Sequence, residues 1–245
     1  DLRLTLLSVV LAIGAVAAAA LALSRAFDLE LYAVTADPAA VAERPFAVGF
    51  VSYLGLLGWA GAAAMAMVGA AILYAIDPWS ERGRMLFTAG VLSGLLALDD
   101  AFMLHEKVVP DYLFAPEQSL YVLYAALAVV FLYLGRRYLR GTDWLLLVLA
   151  GAAMATSLAM DLLLAFDGRV TFVEDFAKFS GVVLWATYLF RTVRTMATRT
   201  VNERLLQLRR RQHGADRAGG QHPGGLRAGG QHPGATQPLS GPWTG

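Results

Sequence analysis

Six stretches of this chain are apolar over about the length a helix needs to cross a hydrocarbon core, roughly 20 residues. They run over residues 4–23, 46–76, 85–104, 118–136, 144–166 and 170–190. Within lipid no water can satisfy backbone N–H and C=O groups, so a spanning segment is either a helix or part of a closed barrel. Barrel strands alternate apolar and polar residues, and these runs do not. The sequence therefore predicts an all-α, polytopic integral membrane protein built as a six-transmembrane-helix bundle. Composition agrees: 57% of residues are hydrophobic and only 16% charged, against about 25% charged in a soluble domain. With no cysteine, the chain can build neither disulfides nor thiolate metal sites.

Arginine sets the expected orientation. Arg3, the pair Arg82 and Arg84, the group Arg136, Arg137 and Arg140, and the tail from Arg191 to Arg211 all fall on one side of a six-span model. Cytoplasmic loops carry such an excess of basic residues. Both termini are therefore expected to be cytoplasmic. The acidic residues collect on the other face, so that the net charge is only +1. That acidic face is expected to be extracytoplasmic in a multi-pass protein of the cell membrane. The first apolar run, preceded by Arg3 and ending in Ala20, Leu21 and Ala22, also has the shape of a secretory signal. Its length favours a retained span.

Three segments follow from composition. Residues 1–200 are the transmembrane domain. Residues 201–212 read as a basic juxtamembrane helix suited to anionic lipid headgroups. Residues 213–245 contain a repeat of ten-residue period, RAGGQHPG from Arg217 and again from Arg227. Glycine-rich sequence without apolar periodicity cannot bury a core, so this tail is expected to be disordered. The connection over residues 24–45 is acidic and long enough for a short interfacial helix or a lid.

Ionisable groups inside spans are costly and face the bundle interior, where they find partners. The third span ends in LDDAFMLHEK, with Asp99 and Asp100 in its apolar part and His105, Glu106 and Lys107 at its end. The fifth carries Asp161 and the sixth opens with Glu174, Asp175 and Lys178. At 1.5 Å per residue all of these lie toward the same face of the membrane. Carboxylates in excess of cations in a low dielectric must either protonate or bind a cation. The expected metal ligands are Asp99, Asp100, His105, Glu106, Asp161 and Asp175, with Glu174 and Lys178 as an ion pair or proton relay. Helical spacing pairs Asp99 with Glu106, sets His105 at the rim, and offers Lys178 a local partner in Glu174 or Asp175. Oxygen donors favour calcium or magnesium, and a histidine extends the choice to zinc.

The leading expectation is a cation- or proton-binding channel, transporter or sensor. The alternative is an intramembrane metal-dependent hydrolase acting on a lipid, with metal-bound water as nucleophile. A structural subunit of a membrane complex is a further alternative. A retinal-type chromophore on Lys178 would need a seventh span. Membrane lipids are the expected partners, and a homo-oligomer would be needed for a pore. Gly90 with Gly94, Gly58 with Gly61, and Gly151 offer close helix approach. Tyr53, Trp59, Tyr121, Tyr124, Trp185 and Tyr188 are expected mostly at the interface or against lipid. No phosphate-binding loop, nucleophile elbow or HExxH motif is present. The basic residues mark the membrane boundary, so no nucleic acid is expected.

Overall fold

The computed structural model describes residues 2–36, 38–45, 47–116, 118–163 and 168–219. Among them the chain is helical, with no strand. The order is α1 (Leu2–Ala26), two short helices α2 (Leu31–Thr35) and α3 (Pro38–Val41), α4 (Phe50–Ile76), α5 (Glu81–Phe102), a π-type turn (Leu104–Val108), α6 (Val109–Tyr112), α7 (Gln118–Gly135), α8 (Trp144–Leu163) and α9 (Gly168–Gly219). The chain divides at residue 199 into two compact units. The first holds the bundle. The described part of the second is the final stretch of α9, residues 200–219.

Five described helices are long and apolar enough to cross a membrane: Val9–Ala26, Phe50–Ile76, Glu81–Phe102, Gln118–Gly135 and Trp144–Asp161. The last helix, α9, is not among them. Glu174, Asp175 and Lys178 interrupt its apolar run, and Arg191 closes it.

The core forms where α4, α5, α7, α8 and α9 meet. Ala62, Ala66 and Ala70 of α4 pack with Met85, Leu86 and Ala89 of α5, Phe131 of α7, Ala150 of α8, and Val182, Trp185 and Leu189 of α9. Small residues allow this because helix association in lipid rests on close van der Waals contact rather than on a hydrophobic drive. A Cβ on Gly90 would lie 2.9 Å from Met67, and one on Gly58 only 2.5 Å from Val182. Gly69 and Gly181 are equally tight, against Val193 and Met154. Gly61 and Gly151 face open space instead, so the expected small-residue faces on α4 and α8 are only partly used.

The α4–α5 turn is capped in the usual way. Ser80 accepts a hydrogen bond from the Gly83 N–H at 3.2 Å, and Glu81 follows in the first turn, favourable against the helix dipole. At the same end Arg191 of α9 donates to both oxygens of Asp143, at 2.6 and 3.1 Å.

Two expectations change here. Trp59, Trp185 and Tyr188 are not interface or lipid-facing residues but are buried, at 3%, 7% and 0% exposure. Trp185 spends its indole N–H on Ser93 at 2.9 Å, which explains how an aromatic with a polar edge can be buried in the bundle. The helix expected over residues 201–212 continues through Gly219, into the segment expected to be disordered. Residues 220–245 lie outside the described residues, as do Asp37, Phe46, Glu117 and 164–167. The acidic connection holds α2 and α3, neither of which buries a residue. Helix α1 leaves its apolar side chains exposed along its length, Val10 at 64% and Val16 at 70% among them.

The tight glycine yields a paired test. Gly58→Val should lower the unfolding temperature in detergent, with about 1–3 kcal/mol lost to overpacking. Gly61→Val, three residues away and unobstructed, should be close to neutral. Equal effects would mean that α4 and α9 do not approach as described.

Candidate functional site

Helix α5 ends abruptly, and the site depends on how. Its apolar run continues to Phe102, then Met103 takes a left-handed conformation with φ 50°. A non-glycine residue there carries about 1–2 kcal/mol of strain. The carbonyl of Met103 accepts from the N–H of Lys107 at 2.8 Å and more weakly from that of Val108 at 3.3 Å, closing the π-type turn. The chain therefore folds back over the last turn of α5 instead of continuing along its axis.

That reversal brings His105 onto Asp99. Asp99, 4% exposed, accepts the backbone N–H of His105 at 2.9 Å and faces its ring Nδ1 at 2.8 Å from both carboxylate oxygens. Asp99 thus has backbone and side-chain partners from one residue. The arrangement differs from helical extrapolation, which set His105 at the rim and Glu106 on the Asp99 face. Extrapolation fails because α5 stops before either residue. Glu106 is instead exposed, its carboxylate 3.6 Å from His105 Nε2.

The next residue serves a different partner. Asp100 accepts a hydrogen bond from Lys178 Nζ of α9 at 2.6 Å. The expected local pairs of Lys178 with Glu174 or Asp175 are therefore replaced by a bond between helices. A buried carboxylate gains more from a lysine than an exposed one does, because water screens the latter. Asp100 has a side-chain exposure of 9%. Glu174 is half-buried, and Asp175 is exposed.

Asp161 does not join either pair. It is exposed and accepts a long hydrogen bond from Tyr121 at 3.4 Å. Tyr121 in turn packs its ring against His105, with centroids 5.4 Å apart. Tyr124, one turn further along α7, buries a hydroxyl beside Asp99 without a hydrogen bond of ordinary geometry. Both tyrosines were expected at the interface, yet they wall the site. Their spacing of three residues on one helix face was the available signal.

The six proposed ligands are therefore not one cluster. They divide into Asp99 with His105 and, on the other side of the ring, Glu106; Asp100 with Lys178; Asp161 near Tyr121; and an exposed Asp175. Among the described residues no three of His, Asp or Glu are arranged to hold a metal ion. What the arrangement provides is two adjacent carboxylates with separate partners, one a lysine and the other a histidine that carries charge only when protonated.

Two tests follow. Lys178→Met should destabilise the protein by about 1–2 kcal/mol, less than a fully buried pair would lose because the lysine is 40% exposed, and adding Asp100→Asn should restore most of it. Unfolding in detergent would read both, and purely additive losses would remove the pair from the account. Met103→Gly should be neutral or stabilising, because it relieves strain at an exposed side chain, whereas Met103→Val should destabilise by about 1–2 kcal/mol.

No curated protein and no solved structure matches the chain. A family model described as "Domain of unknown function (DUF8692)" covers residues 6–192. That span runs from the first apolar helix to the end of the bundle and takes in Asp99, Asp100, His105 and Lys178. The chain belongs to this family.

Proposed function

We propose that this is a proton-responsive protein of the cell membrane, in which the Asp99–His105 pair takes up a proton and Asp100 with Lys178 carries the change to the last helix. The observation behind this reading is the adjacency of the two carboxylates with separate partners on separate elements. His105 lies just past the end of α5, and its hydrogen bond to Asp99 shifts its pKa upward from the usual value. With His105 protonated, the charge of Asp99 is balanced. When the proton leaves, Asp99 and Asp100 share Lys178 as their compensating charge. Like charges on successive residues in a low dielectric repel, and the bond between α5 and α9 feels the difference. The strained turn at Met103 is the element whose alternative conformations lie within reach.

Sensing is favoured over conduction by what lies beneath the site. The Ser93 hydroxyl is engaged by the Ala89 carbonyl and by Trp185. Beyond it Ala89, Leu86 and Met85 are fully buried and apolar. The next hydroxyl along α5, that of Thr88, is spent on the Arg84 carbonyl at 3.0 Å, so the described polar groups of α5 do not line up as a path through this core.

The six-span reading places α9 as the last span, supported by Val182, Trp185 and Leu189 in the bundle core. Both termini are then cytoplasmic and the Asp99 end faces outward, a reading that the arginine distribution supports. Helix α1 would lie against lipid or a second copy. A divalent cation of calcium, magnesium or zinc type is the competing occupant, and it would need ligands that the described arrangement does not bring together. A lipid hydrolase would need such a metal.

The sign of the pH dependence follows from linkage. A histidine whose folded pKa lies above its unfolded value of about 6.5 adds stability that is complete below that pH. It is lost as pH rises through the folded value. The hydrogen bond and charge of Asp99 raise that value, burial opposes them, Glu106 adds to the rise, Lys178 acts against it, and the Tyr121 ring packs alongside. The unfolding temperature of the wild type should fall as pH rises above about 6.5, by about 2–4 °C per kcal/mol of coupling lost. His105→Gln should flatten that limb. Metal content measured on the same samples separates the readings: a bound metal lost in Asp99→Asn would replace the proton with a cation, and an unchanged pH limb in His105→Gln would sink the proton pair.

A further inference from the structure

The opposite end of α5 carries a second site. Arg82 lies 17 residues before Asp99 on this helix, about 26 Å away along its axis. There a cavity of about 100 Å³ opens between three segments. Arg82 comes from the start of α5, Arg137, Tyr138 and Thr142 from the connection between α7 and α8, and Thr195 and Arg199 from α9. Its lining contains three guanidinium groups and no carboxylate.

The arrangement is built rather than merely basic. Gly141 lets the loop backbone approach Arg199, whose Nη1 would lie 3.3 Å from a Cβ at that position. Arg82 sits over the Tyr138 ring, 5.4 Å from its centroid. The Tyr138 hydroxyl donates to Glu81 at 3.0 Å, which fixes the ring. The acidic residues of the surrounding elements are already engaged. Glu81 faces Arg137 at 3.6 Å and Arg84 at 3.9 Å, and Asp143 is held by Arg191. The lining therefore carries more positive than negative charge around a partly open space.

We propose that this cavity binds a phosphate group. Guanidinium forks match phosphate oxygens in geometry and charge, and an arginine cluster is the usual means of holding one. Size narrows the choice. Pockets for whole cofactors run to roughly 300–1,000 Å³, so this cavity accepts a single phosphate and not a nucleotide. That phosphate can come from the headgroup of an anionic phospholipid at the membrane boundary or from free inorganic phosphate. The site differs from the basic stretch of α9 after residue 200, whose arginines are not part of the lining.

Native mass spectrometry of the full chain in neutral detergent, with phosphatidylglycerol and phosphatidylcholine supplied separately, tests the lipid source. The expected result is preferential retention of phosphatidylglycerol, reduced about tenfold in Arg199→Gln and in Arg82→Gln, the scale of one charge-assisted contact. Arg199→Lys should keep part of the binding, and Arg209→Gln should keep all of it. In lipid-free detergent, inorganic phosphate at millimolar concentration tests the free source. A rise in unfolding temperature that Arg199→Gln abolishes would place free phosphate in the same cavity. Equal retention of both lipids with no effect of phosphate would overturn the proposal. So would equal losses in Arg209→Gln and Arg199→Gln, which would show that surface charge alone is responsible. Because Arg82 and Arg199 lie on different helices, a folding defect in one variant leaves the other as the test.

Discussion

Two carboxylates on successive residues of an apolar helix impose a demand that no single neighbour can meet. Consecutive side chains on a helix point about 100° apart, so Asp99 and Asp100 face different surroundings. Asp99 is satisfied from its own chain by the reversal at Met103 and the return of His105. Asp100 is satisfied from α9 by Lys178. Much of the remaining architecture serves these two bonds. The glycines of α4 admit α9 closely enough for Lys178 to reach. Trp185, four residues before Leu189 on the same helix, anchors α9 to α5 through Ser93.

The polarity of the bundle is correspondingly divided. One end of α5 holds acidic groups with matched cations. The other holds arginines that outnumber their acidic partners around a small cavity. Between them lies a core of alanine, leucine, methionine and aromatic side chains with few polar atoms. Ser93, Ser157 and Thr192 are buried as well, and the Ser93 hydroxyl is committed to Ala89 and Trp185. Charge is thus placed where headgroups or water can meet it, and the middle is left to packing.

Helix positions were legible in the sequence because length and hydropathy carry them directly. Asp99, Asp100, His105 and Lys178 were also legible, since each is a costly group in or beside an apolar run. Their pairing was not. His105 was set at the rim by a helical wheel that assumed α5 continues to Glu106, while a left-handed Met103 has no sequence signature comparable to glycine. Lys178 has acidic residues three and four positions before it, which local spacing favours, yet it bonds to Asp100 across the bundle. Tyr121, Tyr124 and Trp185 look like boundary aromatics in sequence, because the amphipathic character that suits a membrane interface also suits a buried site with one polar contact.

Apolar length and the placement of arginine, both properties of the linear chain, determined that this protein is helical and membrane-spanning in character, and which ionisable residues had to find partners. Tertiary structure decided which partner each one took. That choice depends on where α5 stops and on how closely α4 lets α9 approach. Both are set by contacts between residues far apart in sequence, and spacing along one helix cannot report them.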